Sequence, residues 1–83
     1  MANRPRGFWR QVISDGLRAL GGQAWSIDLY EWIAANVALT DHELAESPHQ
    51  GRPYYVNTVR GIESDMTDRG DLARVQRGMY RLP

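Results

Sequence analysis

Apolar residues recur at helical spacing in three stretches of the chain, and the residues between those stretches are ones that stop helices. From Phe8 to Leu20 the residues Trp9, Val12, Ile13, Leu17 and Leu20 repeat at intervals that place them on one helix face, and Gly21-Gly22 ends the run. Residues 23–25 are too few for a helix and read as a short edge strand. Ser26 is the expected N-cap of a second helix, with Trp25 and Tyr30 at the staple positions on either side of it. Leu29, Ile33 and Val37 line one face of that helix, flanked by Tyr30 and Trp32. Thr40 and Glu43 have capping-box spacing, with Leu39 and Leu44 as the matching staple, and Ser47-Pro48 cuts the helix they start short. Residues 47–53 (SPHQGRP) are rich in turn formers and predict a loop. Pro53 suits a first helical position, and the pattern is helical again from Tyr54 to Arg69. Tyr55, Val59, Ile62 and Met66 form its inward stripe, and Gly70 is the stop. The closing segments LARV, QRG and MYRL predict two short strands around a three-residue turn.

Helix, short strand, helix, extra short helix, long helix and hairpin, in that order, predict a mostly α chain with a small β-hairpin. The plan is that of a winged helix-turn-helix: a three-helix core, one extra short helix and a C-terminal two-stranded wing. The strand at residues 23–25 would add a third strand to the wing. Helix 54–69 would be the recognition helix, and Gln76-Arg77-Gly78 the tip of the wing. Residues 1–7 read as a flexible arm and residues 8–83 as the winged-helix domain, with the small core that so short a chain can bury.

Composition removes most enzymatic alternatives. There is no cysteine, which excludes a disulfide scaffold, a thiolate zinc site and a cysteine nucleophile. All ten basic residues are arginine, so there is no Walker-A or Schiff-base lysine. No glycine-rich phosphate loop is present, and His42 and His49 lack partners at metal-ligand spacing and read as surface residues. Neither an enzyme nor a cofactor is expected. No apolar run resembles a signal peptide or a membrane span, which suggests a cytoplasmic chain, and no small-molecule substrate is expected.

The run LTDHELAESPHQGRPYYVNTVRGIESDMTDRGDLARVQRGMYRL resembles the amino-terminal winged-helix domain of Mrr-type restriction proteins. The likeness rests on Leu39-Thr40, Gly51-Arg52, Asn57 to Arg60, Gly70 and Arg77 to Leu82. The closing wing pattern is also similar to winged helices of modification-dependent restriction endonucleases. One departure is Asp71, which stands between the helix-ending glycine and the apolar Leu72. The resemblance implies binding of double-stranded DNA, in a restriction or defence system that recognises modified DNA. A fused or associated nuclease domain, or a second copy, would be the partner.

Candidate contacts follow from both lines of reading. Opposite the inward stripe the long helix carries Asn57, Thr58, Arg60, Gly61 and Ser64. Asparagine can pair with an adenine edge and arginine with a guanine edge, while glycine and serine let a helix approach closely. Arg52 and Tyr54 stand at the helix entrance, and Tyr54 could equally stack on a base, bond phosphate or join the core. Glu63, Asp65 and Asp68 lie further along, so only the amino-terminal half would enter a groove. Arg74 and Arg77 on the wing suit phosphate or minor-groove contacts. The plainer reading of both sets is a solvated helix face and an arginine-protected hairpin. Arg4-Pro5-Arg6-Gly7 has the form of a minor-groove arm or of an ordinary solvated tail. Charge is uneven beneath a net value of zero: +3 over residues 1–20, −5 over 21–50 and +2 over 51–83. That acidic flank favours the rival function, a protein-interaction winged helix that docks another subunit.

Overall fold

Trp9, Val12, Ile13 and Leu17 lie on one side of α1 (Arg6–Ala19), and Ile13 and Leu17 are fully shielded from solvent. Against that side pack α2 (Ser26–Asn36), α4 (Tyr54–Asp68) and the short strand β1 (Gln23–Trp25). Leu29 and Ile33 come from α2, and Tyr55, Val56, Val59, Ile62 and Met66 come from α4. A single turn, α3 (Asp41–Leu44), packs on α4, and the chain ends in the hairpin β2 (Ala73–Gln76) and β3 (Met79–Arg81). The computed structural model describes residues 4–83. β3 is the central strand of an antiparallel sheet of order β1-β3-β2, with Ala24 opposite Tyr80 and Arg74 opposite Tyr80 on its other side. The chain is thus mostly helical with a small three-stranded antiparallel sheet, and residues 23–25 do pair with the hairpin. Among the described residues no helix is long and apolar enough to cross a membrane.

The two long outer helices stop by the same device. At the end of α1 the Gly21 N–H donates to the Arg18 carbonyl (3.2 Å) and the Gly22 N–H to the Leu17 carbonyl (2.7 Å). At the end of α4 the Gly70 N–H donates to Thr67 (3.1 Å) and the Asp71 N–H to Met66 (2.8 Å). Each pair satisfies the last free carbonyls of its helix and needs a left-handed residue, which is Gly21 at φ 96° and Gly70 at φ 81°. The inserted Asp71 is therefore part of the stop, and Leu72 is still delivered into the core.

Several expectations change in detail. Thr40 and Glu43 form the capping box, side chain to backbone in both directions. Leu44 nevertheless stays 51% exposed, so the Leu39–Leu44 staple does not bury both its members. α1 starts at Arg6 rather than Phe8, so part of the supposed arm is helix. Arg4 is docked: its guanidinium grips the Glu43 carboxylate at 2.8 and 2.9 Å, donates to the Ala38 carbonyl at 2.7 Å and lies 4.6 Å from the centre of the Phe8 ring. Burial would raise the Glu43 carboxyl, but the Thr40 N–H and the Arg4 guanidinium overcome it and hold Glu43 below the usual range. The rest of the supposed arm, residues 1–3, lies outside the described residues.

Ser26 is not the N-cap of α2. Trp25 holds that position in extended conformation, because β1 runs straight into the helix and the Ser26 N–H is bonded to the Gly78 carbonyl (2.7 Å). Trp25 is 43% exposed, with its ring beside the hairpin turn. The hairpin turn is shorter than expected. Gln76 pairs with Met79, so Arg77-Gly78 alone makes the turn, and Val75 is left over as a bulge between Arg74 and Gln76.

Gly16 sets how closely α1 and α2 approach. A Cβ there would lie 2.5 Å from Leu29 Cδ1 and 2.9 Å from Trp32 Cε3, whereas one at Gly61 on α4 would meet nothing. Gly16→Ala would gain up to about 1 kcal/mol in helix propensity and lose about 1–3 kcal/mol to overpacking. Because Leu29 is buried and Trp32 presents a rigid ring, the loss dominates. Thermal melting should show Gly16→Ala lowering Tm and Gly61→Ala raising it.

Candidate nucleic-acid interface

α4 positions most of the candidate side chains, and its inward face fixes which way they point. Tyr55, Val59, Ile62 and Met66 are buried as the stripe requires, and Thr58, Arg60, Gly61 and Ser64 are exposed on the other side. Arg74 and Arg77 are exposed on the hairpin. Arg52 and Tyr54, at the entrance of the helix, are half-buried.

Three of the candidates are already engaged within the chain. The Asn57 amide donates to Ser47 Oγ (3.1 Å) and Gln50 Oε1 (3.3 Å), and thereby clasps the loop before α4. That loop is closed on itself. Ser47 is buried, its N–H donates to the Arg52 carbonyl (2.8 Å), and the Gly51 N–H returns to the Ser47 carbonyl (3.1 Å). Reading an adenine edge needs the same amide protons that Asn57 spends on the loop, so its local role is to hold the entrance of the helix. Tyr54 stacks on His42 of α3, with ring centres 4.6 Å apart and planes 14° from parallel. Of the three open options for Tyr54, stacking is used, but on a histidine. Thr58 bonds back to the Tyr54 carbonyl (3.2 Å).

Ion pairing divides the arginines. Arg4 pairs with Glu43, Arg10 and Arg69 approach Asp65, Arg18 pairs with Asp15, and Arg69 also approaches Asp71. Among the described residues Arg6, Arg52, Arg60, Arg74, Arg77 and Arg81 have no such partner. Near-neutral overall charge thus leaves unneutralised guanidinium groups on α4 and the hairpin. Among the described residues no group of three His, Asp or Glu side chains could hold a metal ion.

Glu63 is the residue that the pattern of charges misplaced. Expected on an acidic outer flank, it is 1% exposed, inside the core between α4 and α2. Its carboxyl accepts from the Ser26 hydroxyl (3.2 Å) and from the Tyr30 hydroxyl (3.5 Å). Spacing carried the signal: Glu63 stands seven residues after Val56 and three before Met66, both buried, so it falls on the inward face. Burial pushes its pKa up to about 7, against the lowering effect of Ser26, Tyr30 and Arg60. Burial, with the Glu63 charge next, pushes the Tyr30 hydroxyl up to about 12.

A carboxyl whose folded pKa lies above its unfolded value keeps its proton better in the folded state. Its contribution to stability is fully present below pH 4.5 and is lost as pH rises through about 7. The loss is on the order of 3 kcal/mol, from roughly 1.4 kcal/mol per unit of displacement. Denaturant unfolding should therefore show stability falling between pH 4.5 and 7 in the wild type. Glu63→Gln should flatten that slope and be the more stable form at pH 8; an unchanged slope would place the titrating group elsewhere. No protein-family model, curated protein or solved structure matches this chain, so its reading rests on the residues themselves.

Proposed function

We propose that the chain is a winged helix that binds double-stranded DNA, as the reader module of a restriction or defence protein. In this reading α4 is the recognition helix and the β2–β3 hairpin is the wing. The observation that carries the reading is the partition of arginines: of the six without an ion-pair partner among the described residues, all but Arg6 of α1 (Arg52, Arg60, Arg74, Arg77 and Arg81) lie on or beside those two elements. Unpaired cations on a protruding element are what phosphate neutralisation requires. Arg60, Gly61 and Ser64 present a narrow face with one long donor between small side chains, which suits close approach to a major groove. Asn57 supports that face from behind by fixing the loop at its entrance. An associated nuclease domain, or a second copy, would supply any chemistry.

Fluorescence anisotropy with generic duplex at low and moderate salt tests the proposal, and no binding at low salt would overturn it. The same titration on duplexes with modified and unmodified adenine or cytosine tests whether modification is read. Arg77→Ala should weaken all duplexes alike and lower the salt slope by about one unit. Arg60→Ala should cost about 1–3 kcal/mol on a preferred site and less on random sequence. Equal losses for both variants on both duplexes would make α4 a backbone-positioning element instead.

A further inference from the structure

An open groove of about 610 Å³ runs between α2, β1 and the start of β3, and it shares no lining residue with α4. Leu20, Trp25, Trp32 and Met79 give it an apolar lining, and Asp28 and Glu31 bring carboxylates to it. Trp25 and Leu20 are among the exposed large apolar side chains, and Ile27, at 61% the most exposed of them, is the next residue but one after Trp25. Neither Asp28 nor Glu31 has an ion-pair partner among the described residues. No arginine occurs anywhere between Leu20 and Gly51, so the segment that supplies α2 carries only negative charge. Asp28, Glu31, Trp32 and Ala35 recur at three- and four-residue spacing, which puts carboxylates and ring on one helix face.

We propose that this groove docks a cationic amphipathic segment of a partner protein, with aliphatic side chains on the two tryptophans and Lys or Arg opposite Asp28 and Glu31. Charge decides the occupant. An anionic or purely apolar segment would strip water from two carboxylates and give them no counter-charge. A cationic one replaces that water, and its alkyl stems and charged heads also suit tryptophan faces. The proposal is independent of DNA binding, because the residues involved are different ones.

The full chain, labelled with nitrogen-15, would be titrated with a short amphipathic Leu/Lys helix and with its Leu/Glu counterpart. The indole N–H signals of Trp25 and Trp32 report on the groove, and that of the buried Trp9 is the internal reference. Saturable shifts at Trp25 and Trp32 with the Leu/Lys helix, and none with the Leu/Glu helix, are expected. The exposed pair of substitutions Asp28→Asn and Glu31→Gln should weaken that binding roughly tenfold, while Arg77→Ala leaves it unchanged. Shifts centred on Asp41 and Glu46 instead, equal affinity for the double variant, or self-association through the groove without peptide would each overturn the proposal.

Discussion

Burying Glu63 at the junction of α4 and α2 costs the chain a solvated carboxylate, and only the hydroxyls of Ser26 and Tyr30 replace the lost water. Much of the local architecture follows from that demand. Ser26 is already inside the first turn of α2, where its hydroxyl donates to Glu63, and Trp25 takes the extended N-cap position as β1 runs directly into the helix. The Ser26 N–H, the first of the helix, goes to the Gly78 carbonyl of the hairpin. One carboxyl thereby connects α4, the start of α2 and, through Ser26, the turn of the sheet. Removing a hydroxyl partner would leave a polar group unpaired in the core, which costs more than a surface bond is worth.

The same economy of partners governs the start of α4. A proline at its N-cap brings no side-chain oxygen to the first turn. The preceding loop supplies order instead, through the buried Ser47, its backbone exchange with Gly51 and Arg52, and the Asn57 clasp. α3 contributes the His42 ring on which Tyr54 rests. Residues that look like base readers in the sequence are in part the supports of the residues that remain exposed. Arg60 and Ser64 face outward because Tyr55, Val59, Ile62 and Met66 turn the opposite side of α4 into the core.

The elements were legible in the sequence where one principle governed each of them. Apolar spacing located α1, α2 and α4, the glycine stops fixed the ends of α1 and α4, and Thr40 with Glu43 gave the capping box. Charge misled where the chain spends it internally. Glu63 sits at a core spacing, yet a carboxylate among Asp65 and Asp68 reads as solvated unless its future partners, 33 and 37 residues away, are known. Arg4 fails for the same reason: its partner Glu43 is 39 residues distant, and nothing local distinguishes a docked arginine from a loose one. The bulge at Val75 was hidden because strand pattern does not count cross-strand partners.

A net charge of zero would ordinarily argue against a binder of polyanions, but it describes a sum and not a surface. Arg10 and Arg18 of α1, and Arg69 beside Asp65, are neutralised within the fold and contribute positioning. On α4 and the hairpin Arg60, Arg74 and Arg77 are not. The compensating acids are concentrated in residues 21–50, where Glu43 is consumed by Arg4 and Asp28 and Glu31 face an apolar groove. Screening confines each of these fields to about 8 Å at physiological salt, less than the 21 Å shortest extent of the molecule. At that range a ligand senses the element it touches and not the total. Two partners of opposite charge can then be served by one small neutral chain, provided that its charges are segregated by helix rather than mixed.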